Sequence, residues 1–386
     1  MSFGKMPLAN GFLNKNEFKS EFFFNMEVGF SNKISLFQLN DHPSPKKMFG
    51  NKYPFYTGSS NFMKTHFKAY ASWLKKNYLK SNSKMIEIGS NDGTFLSNFK
   101  NANLEYLGFE PSKSVALVAK KNNIKTINDF FNTNSITDLN KFKKNTDVIC
   151  ASNVICHIPN LKNLIYSIEK LLAKKGVFVF EEPYLGSMFN KVSYDQIYDE
   201  HIFMFSVNSI KKIFKLYDFE LIDVLQQPTH GGSIRYIISR KKKYPINNRV
   251  NRLLSIESRQ NLDNIESCIN FKLKCEESKK RIVAKLKKFK ESGKKICGYA
   301  ATSKSTTILN YCNTNNDVID FICDTTKDKI NKFTPGTHIP IVSMSHFYNN
   351  MPDIAYLFAW NHRNEIFAKE KDFVKKGGKW ISHVAL

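Results

Sequence analysis

Within eight residues, Tyr194-Asp195-Gln196-Ile197-Tyr198-Asp199-Glu200-His201, the chain places two phenols, three carboxyl groups and an imidazole. Charges and phenolic hydroxyls are costly to bury without partners, so this density has little folding rationale and points to a reaction site. Imidazole titrates near neutral pH, and proton transfer is the chemistry these residue types favour. A strand precedes the cluster and ends in Glu181-Glu182-Pro183-Tyr184. A second histidine, His157, follows the apolar run Val148–Ser152 and falls just past a strand end.

A different chemistry is written into Met85-Ile86-Glu87-Ile88-Gly89-Ser90-Asn91-Asp92-Gly93-Thr94-Phe95-Leu96, an apolar strand running into a glycine turn and an expected helix. Gly89 and Gly93 allow a tight turn and close approach of backbone to a ligand at the carboxyl end of the strand. The spacing is not that of a dinucleotide fingerprint. Glu87, two residues before the first glycine, fits the methyltransferase pattern E-x-G-x-x-x-G, whose ligand carries a cationic methionine end. The next strand candidate, Leu104–Phe109, ends in Glu110, and a carboxylate there can accept from both ribose hydroxyls of a nucleoside. Asp129, after the following short apolar segment, is placed to meet an adenine amino group. Ser90, Asn91, Ser152 and Asn153 complete the expected lining of this site.

Positioning these groups requires strands alternating with helices. Candidate strands are Lys84–Ile88, Leu104–Phe109, Val148–Ser152, Val177–Glu181, Phe219–Gln226 and Ser233–Ser239, with helical stretches between the first four. That alternation predicts an α/β fold with a parallel sheet covered on both faces. Apolar residues at helical spacing from Asn61 to Leu79 predict a helix leading in, and residues 1 to about 65 read as a small irregular or β module. The charged stretch from Asn248 to Glu291 reads as one or two bridging helices. A second α/β pattern follows, with strands at Lys295–Ala300, Val318–Cys323 and Ile354–Leu357 and helices at Ser303–Tyr311 and Asn364–Lys375.

The 386 residues exceed one typical domain, and 42% of them are hydrophobic, an ordinary globular composition. No apolar run is long enough for a membrane span and the N-terminus has no secretory pattern, so a cytoplasmic protein without membrane partners is expected. The seven cysteines lack CxxC spacing, which argues against a disulfide framework or a zinc knuckle. A net charge of +24 is compatible with nucleic acid, but the lysines are spread along the chain. The denser runs, Arg240–Lys243 and Lys279–Lys295, read as element ends and a solvated helix face.

Taken together, these signatures resemble the sugar C-methyltransferases that act on nucleotide-linked deoxysugars. The matching segments are GKMPLANGFL at Gly4–Leu13, FQL at Phe37–Leu39, EIGSNDGTFL, YDEH, FS at Phe205–Ser206, HGGSIR at His230–Arg235, AATSKSTTILNYC, TPGTHIPI and WN. They occur in order over nearly the full length. The resemblance implies an N-terminal substrate-lining module (1–65), a class I, Rossmann-like domain binding S-adenosylmethionine (66–245), a helical bridge (246–291) and a C-terminal Rossmann-like domain for the sugar nucleotide (292–386). It makes His201 the general base, Tyr198 and Glu200 its neighbours and His157 a group near the sugar. Tyr53 or Tyr56 would reach in from the N-terminal module. His230, Arg235, Ser303, Lys304 and Asn310 would contact substrate. Ser305 departs from the family's glycine. A larger departure is Ser31 and Ile34, which stand where the family has its second zinc-binding cysteine pair, so no zinc is expected and the module should be held by Phe12, Phe18, Phe22, Phe23, Phe24, Phe30 and Leu36.

The implied reaction removes a proton from a carbon beside a ketone, and the enolate attacks the methyl group of the donor. The rivals are O-methylation on the same scaffold, an RNA-binding or RNA-modifying protein using the positive charge, and a silent cofactor-binding scaffold. Nothing in the sequence demands an oligomer, and a monomer with a nucleotide-linked sugar as its partner is the expectation.

Overall fold

Three β-sheets divide the chain in this computed structural model, which describes residues 1–50 and 55–386. The first sheet joins β1 (Ser2–Pro7), β2 (Phe23–Ser31) and β3 (Leu36–Leu39) in antiparallel order. In β2 the alternation of pleat sends Phe24, Met26 and Val28 inward while Phe23 faces solvent. The aromatic core expected for this module is therefore only half present. Phe24 and Leu36 are buried, Phe12, Phe18 and Phe30 are half-buried, and Phe22 and Phe23 are exposed: Phe23 lies on the outer face of the pleat, and Phe22 precedes the strand and packs under Lys47. Phe3, Met6, Met26, Val28, Phe37 and Leu39 fill the space instead.

The central sheet contains β4 (Lys84–Ile88), β5 (Glu105–Phe109), β6 (Thr126–Ile127), β7 (Thr146–Ser152) and β8 (Leu172–Pro183). After β9 (Phe203–Met204), it is completed by β10 (Phe219–Gln227) and β11 (Ser233–Arg240). Its order is β10-β11-β8-β7-β4-β5-β6. The five strands from β8 to β6 are parallel, whereas β11 runs antiparallel to both β8 and β10. The sheet is thus mixed, not all parallel, because β10 and β11 form a hairpin that leaves no room for a crossover helix. Strand order reverses between β4 and β7, and open α/β sheets bind ligands in the crevice at such a switch.

Two other expectations need correction. The segment after Gly93 forms only a 3-10 turn, Leu96–Phe99, where a helix was expected. Local side chains take up its backbone groups: Asn98 Nδ2 donates to the carbonyls of Thr94 and Phe95, and Asp92 Oδ1 accepts from Thr94. The helix expected over 364–375 is two, Arg363–Lys369 and Lys371–Lys375.

A third sheet, all parallel, has the order β14-β13-β12-β15-β16, from β12 (Ile296–Tyr299), β13 (Phe321–Asp324), β14 (Ile341–Ser343), β15 (Ile354–Leu357) and β16 (Lys379–Ile381). Helices Asn248–Arg259 and Ile265–Glu291 bridge the second and third sheets. The longer one buries Cys268, Phe271, Cys275, Ile282 and Leu286 along a single stripe. Phe271 stacks on Phe189 with ring centroids 4.2 Å apart, and Phe37 of β3 meets Phe189 edge-on at 5.5 Å. The N-terminal sheet therefore shares its core with the rest of the protein, and β9 extends it by pairing with β3. Among the described residues no helix is long and apolar enough to cross a membrane. Arg240 pairs with Glu169 and Lys241 with Asp218, so that basic run sits at a strand end.

Replacing Phe271 with alanine removes the ring on which this junction closes. Chemical denaturation should show a loss of about 3–5 kcal/mol.

Candidate functional site

At the carboxyl end of β4 the backbone turns through Gly89 at φ +69° and Gly93 at φ +80°, the left-handed region where a side chain is strained. A Cβ on Gly89 would lie 2.3 Å from Val154 Cγ2, so the glycine also lets the loop after β7 press against the loop after β4. Glu110, at the end of β5, accepts from the Asn91 N–H at 3.0 Å and the Ser112 N–H at 2.8 Å. Each oxygen keeps a second lone pair, so the bidentate role toward a ribose is open. Burial pushes the Glu110 carboxyl up to about 7, against the two N–H donors. Glu87 is buried, and burial, with Asp92 and Glu110 nearby, raises its carboxyl well above the usual range.

Three polar atoms here, Glu87 Oε2, Ser90 Oγ and Asn153 Oδ1, are sealed from solvent without a protein partner. Buried polar atoms are rarely left so unless a ligand meets them. With the glycine cradle and Glu110, this donor and acceptor set fits S-adenosylmethionine. Asp129 lies exposed beyond β6 and accepts from the N–H of Phe130 at 2.7 Å. Asn91 and Asp92 accept from the N–H groups of Thr57 at 2.9 Å and Gly58 at 2.8 Å, so the segment beginning at Tyr56 lies over the cofactor loop. Tyr53 lies outside the described residues.

The loop after β7 carries the next component. Glu182, near the end of β8, accepts from the N–H groups of Val154 at 3.0 Å, Ile155 at 2.6 Å and Cys156 at 3.3 Å through one oxygen. Those donors open the short 3-10 turn Ile155–His157, and an acid suits that end of a helical turn. Burial pushes the Glu182 carboxyl up to about 7, against those N–H groups. Sequence reading noted the Glu-Glu pair without giving it this role. Its signal was two adjacent acids at a strand end, of which one, Glu181, faces His66 at 2.6 Å and Arg235 at 2.7 Å.

The turn sets His157 against His201, their rings stacked with centroids 5.3 Å apart. His201 Nδ1 donates to the Gln196 carbonyl at 2.7 Å, which leaves Nε2 to accept from the Tyr198 hydroxyl at 2.6 Å. Burial, with His157 adjacent, holds the His201 imidazole well below its ordinary value, and burial lowers His157 to about 3. Burial and then Glu200 raise the Tyr198 phenol. Both rings are therefore neutral at physiological pH and the phenol keeps its proton. Asn10 donates to Glu200 at 2.6 Å and the Ala9 N–H to Asp199 at 3.0 Å, so the segment GKMPLAN is fastened to the YDEH run.

From the third sheet, Trp360 Nε1 donates to Asp195 at 2.6 Å, and His383 Nε2 lies 3.1 Å from the same carboxylate. Burial pushes Asp195 up, but His383 holds it below the usual range. Lys304 is buried, donates to Asn361 at 3.0 Å and lies 4.6 Å over the Trp360 ring. Trp360 in turn covers Gly231, where a Cβ would lie 2.3 Å from the indole, which brings the His230 turn to Lys304. Burial and then Lys304 lower His230 to about 3.

The structure thus brings together His157, Tyr198, Glu200, His201, His230 and Lys304. Ser303 opens the helix that carries Lys304, whereas Asn310 sits about 10 Å further along it, donating to the Thr306 and Pro335 carbonyls. Arg235 is buried, its guanidinium on Glu181 and 3.7 Å over the Tyr70 ring.

The chain is similar to several known proteins. Residues 62–224 match the model of a methyltransferase domain, and residues 228–385 match that of a C-methyltransferase C-terminal domain. A curated relative, the C-methyltransferase NovU of Streptomyces niveus, is 27% identical over 384 residues, covering 99% of this chain and 91% of its own. Among solved structures, the PH0226 protein of Pyrococcus horikoshii OT3 is 14% identical with a TM-score of 0.39, covering 49% of this chain and 97% of its own. The magnesium protoporphyrin IX methyltransferase of Synechocystis PCC 6803, solved with bound SAH, is 14% identical with a TM-score of 0.36, covering 46% and 83%. The protein is an S-adenosylmethionine-dependent methyltransferase. Over nearly its whole length it is similar to a C-methyltransferase, with a methyltransferase domain matched in its first part and a C-methyltransferase C-terminal domain in its second.

A Gly89→Ala substitution forces a side chain into φ +69° and against Val154. The strain of about 1–2 kcal/mol should weaken S-adenosylmethionine binding roughly tenfold in calorimetry. Adding Val154→Ala should restore only the part due to the clash.

Proposed function

We propose that this C-methyltransferase alkylates a carbon next to the ketone of a nucleotide-linked sugar, with His201 as general base. The observation that carries the reading is the neutral His201 ring, fixed through Nδ1 by the Gln196 carbonyl so that Nε2 is the basic atom. S-adenosylmethionine supplies an electrophilic methyl group when bound, held by Glu87, the Gly89–Gly93 turn and Glu110. The remaining work falls to the protein. Tyr198 keeps its proton, and its hydroxyl can turn from His201 Nε2 to the ketone oxygen, which frees the base and stabilises the enolate in one movement. His157, stacked on His201, restricts the ring and excludes water from that face. The abstracted proton leaves His201 cationic, and the Gln196 carbonyl that accepts from its Nδ1–H stabilises the charged ring.

Support for a sugar-bearing substrate comes from a pocket of ≈ 230 Å³ between the N-terminal module and the third sheet. Asn10, Glu17, Asp199, Glu200 and Asp328 line it together with Lys47 and Lys332, a set rich in acceptors for sugar hydroxyls.

Purified enzyme, S-adenosylmethionine and a panel of nucleotide-linked 4-keto and non-keto sugars should give a product one methylene heavier only with the keto sugars. Methylation of the non-keto sugars at oxygen would sink the enolate chemistry. The variant His201→Ala should lose about 100- to 10,000-fold in kcat while its affinity for S-adenosylmethionine is unchanged. The base works in its neutral form and its pKa lies below the ordinary 6.5, so kcat should stay flat as pH falls through 6.5. A rate that halves at pH 6.5 would mean that a solvent-exposed histidine is the base instead.

A further inference from the structure

The side chains of Cys156, His157 and His201 bring a thiol sulfur and two imidazole nitrogens within 4.8 Å of one another. We propose that these three residues form a capture site for a thiophilic divalent metal ion, Zn2+ or its analogue Co2+, and that occupancy silences the enzyme. The inhibitory half of the proposal rests on His201 being the base; the binding half does not.

Several features favour a metal here over a chance meeting of side chains. Sulfur and imidazole nitrogen are the donors that Zn2+ selects, and bond lengths near 2.0–2.3 Å place tetrahedral ligands about 3.3–3.8 Å apart. The three atoms must therefore close by about an ångström around an ion. Their carriers can do so by side-chain rotation, since Cys156 and His157 share one short turn and His201 stacks on that turn. His157 Nε2 is sealed from solvent and has no hydrogen-bond partner, so a ligand lone pair is already unspent. His201 Nδ1 donates to the Gln196 carbonyl, the outer contact that orients metal-bound imidazole and leaves Nε2 as the ligand.

Two bonds must be exchanged when the ion arrives: the Tyr198 hydroxyl gives up Nε2, and the Cys156 thiol gives up its hydrogen bond to Glu182. Binding also releases the Cys156 thiol proton to solvent, leaving a thiolate against the cation. Two buried acids stand close enough to balance the remaining positive charge, Glu182 beneath the turn and Glu200 beside His201. The fourth position stays open to water, so the site holds metal as an occupant of the reaction centre and not as a structural staple. No catalytic step needs the ion. Its effect is to occupy the nitrogen that takes the proton.

The test uses the intact enzyme after exhaustive chelation. Titration with Co2+ should produce a thiolate-to-cobalt charge-transfer band in the near ultraviolet and visible d–d bands of a tetracoordinate ion, saturating at one equivalent. Cys156→Ser and Cys156→Ala should each abolish the charge-transfer band. Cys156 takes no part in the methyl transfer, so both variants should keep basal turnover. Parent enzyme should lose at least tenfold in rate at saturating Zn2+ and recover on chelation, while the Cys156 variants resist. Absence of a band at one equivalent, or a band that survives in both Cys156 variants, overturns the site. A Cys156-dependent band with undiminished turnover supports the metal site and removes His201 as the base.

Discussion

One buried carboxylate, Glu182, sets the geometry of everything around it. By gathering the N–H groups of Val154, Ile155 and Cys156 it fixes a turn that faces two ways. On one side Val154 presses on Gly89 and shapes the cofactor loop; on the other, His157 lies against His201. The Ile202 N–H donates to the Cys156 carbonyl at 3.0 Å, which ties the same turn to the end of the YDEH run. The proposed donor site and the proposed base thus both lean on one turn. A shift of the turn's backbone that moves Val154 against Gly89 is therefore felt at His157 as well.

The N-terminal module is subordinate to this arrangement. Its strands bury their inner residues against Phe189 and Phe271, and its fourth strand, β9, belongs to the chain that has just left His201. At the β2–β3 turn, which carries Ser31 and Ile34, hydrogen bonds hold the backbone in place. Ser35 Oγ at φ +50° accepts from Lys212 at 2.7 Å and from Asn208 at 3.3 Å. The turn is thereby anchored on the central domain.

Much of this was legible in the sequence where local pattern and tertiary role coincide. Strands β4, β5, β7, β10 and β11 fall where apolar runs place them, because buried parallel strands and a long hairpin impose their composition directly. The Gly89–Gly93 turn, Glu110 and the YDEH run were visible for the same reason: each needs its residue types at fixed spacing. What stayed hidden depends on partners distant in sequence. Asn10 meets Glu200 across 190 residues and Trp360 meets Asp195 across 165, and no local pattern announces either. Phe22 and Phe23 misled because aromatic content says nothing about where a strand begins or which face of the pleat a ring takes. The missing helix after Gly93 was lost to short polar side chains that compete for the backbone, an effect weaker than any periodicity.

The helix Ser303–Tyr311 shows how the parts become one machine. Two adjacent hydroxyls point into different domains: Thr306 Oγ1 donates to the Ala9 carbonyl at 2.8 Å, and Thr307 Oγ1 donates to the Ile197 carbonyl at the same distance. His383 and Trp360 then meet Asp195 from the third sheet. During synthesis the cofactor loop leaves the ribosome long before any of these contacts exist. Thr307 meets Ile197 across 110 residues and Trp360 meets Asp195 across 165, so the run that ends in His201 is synthesised whole before any of the side chains that brace it.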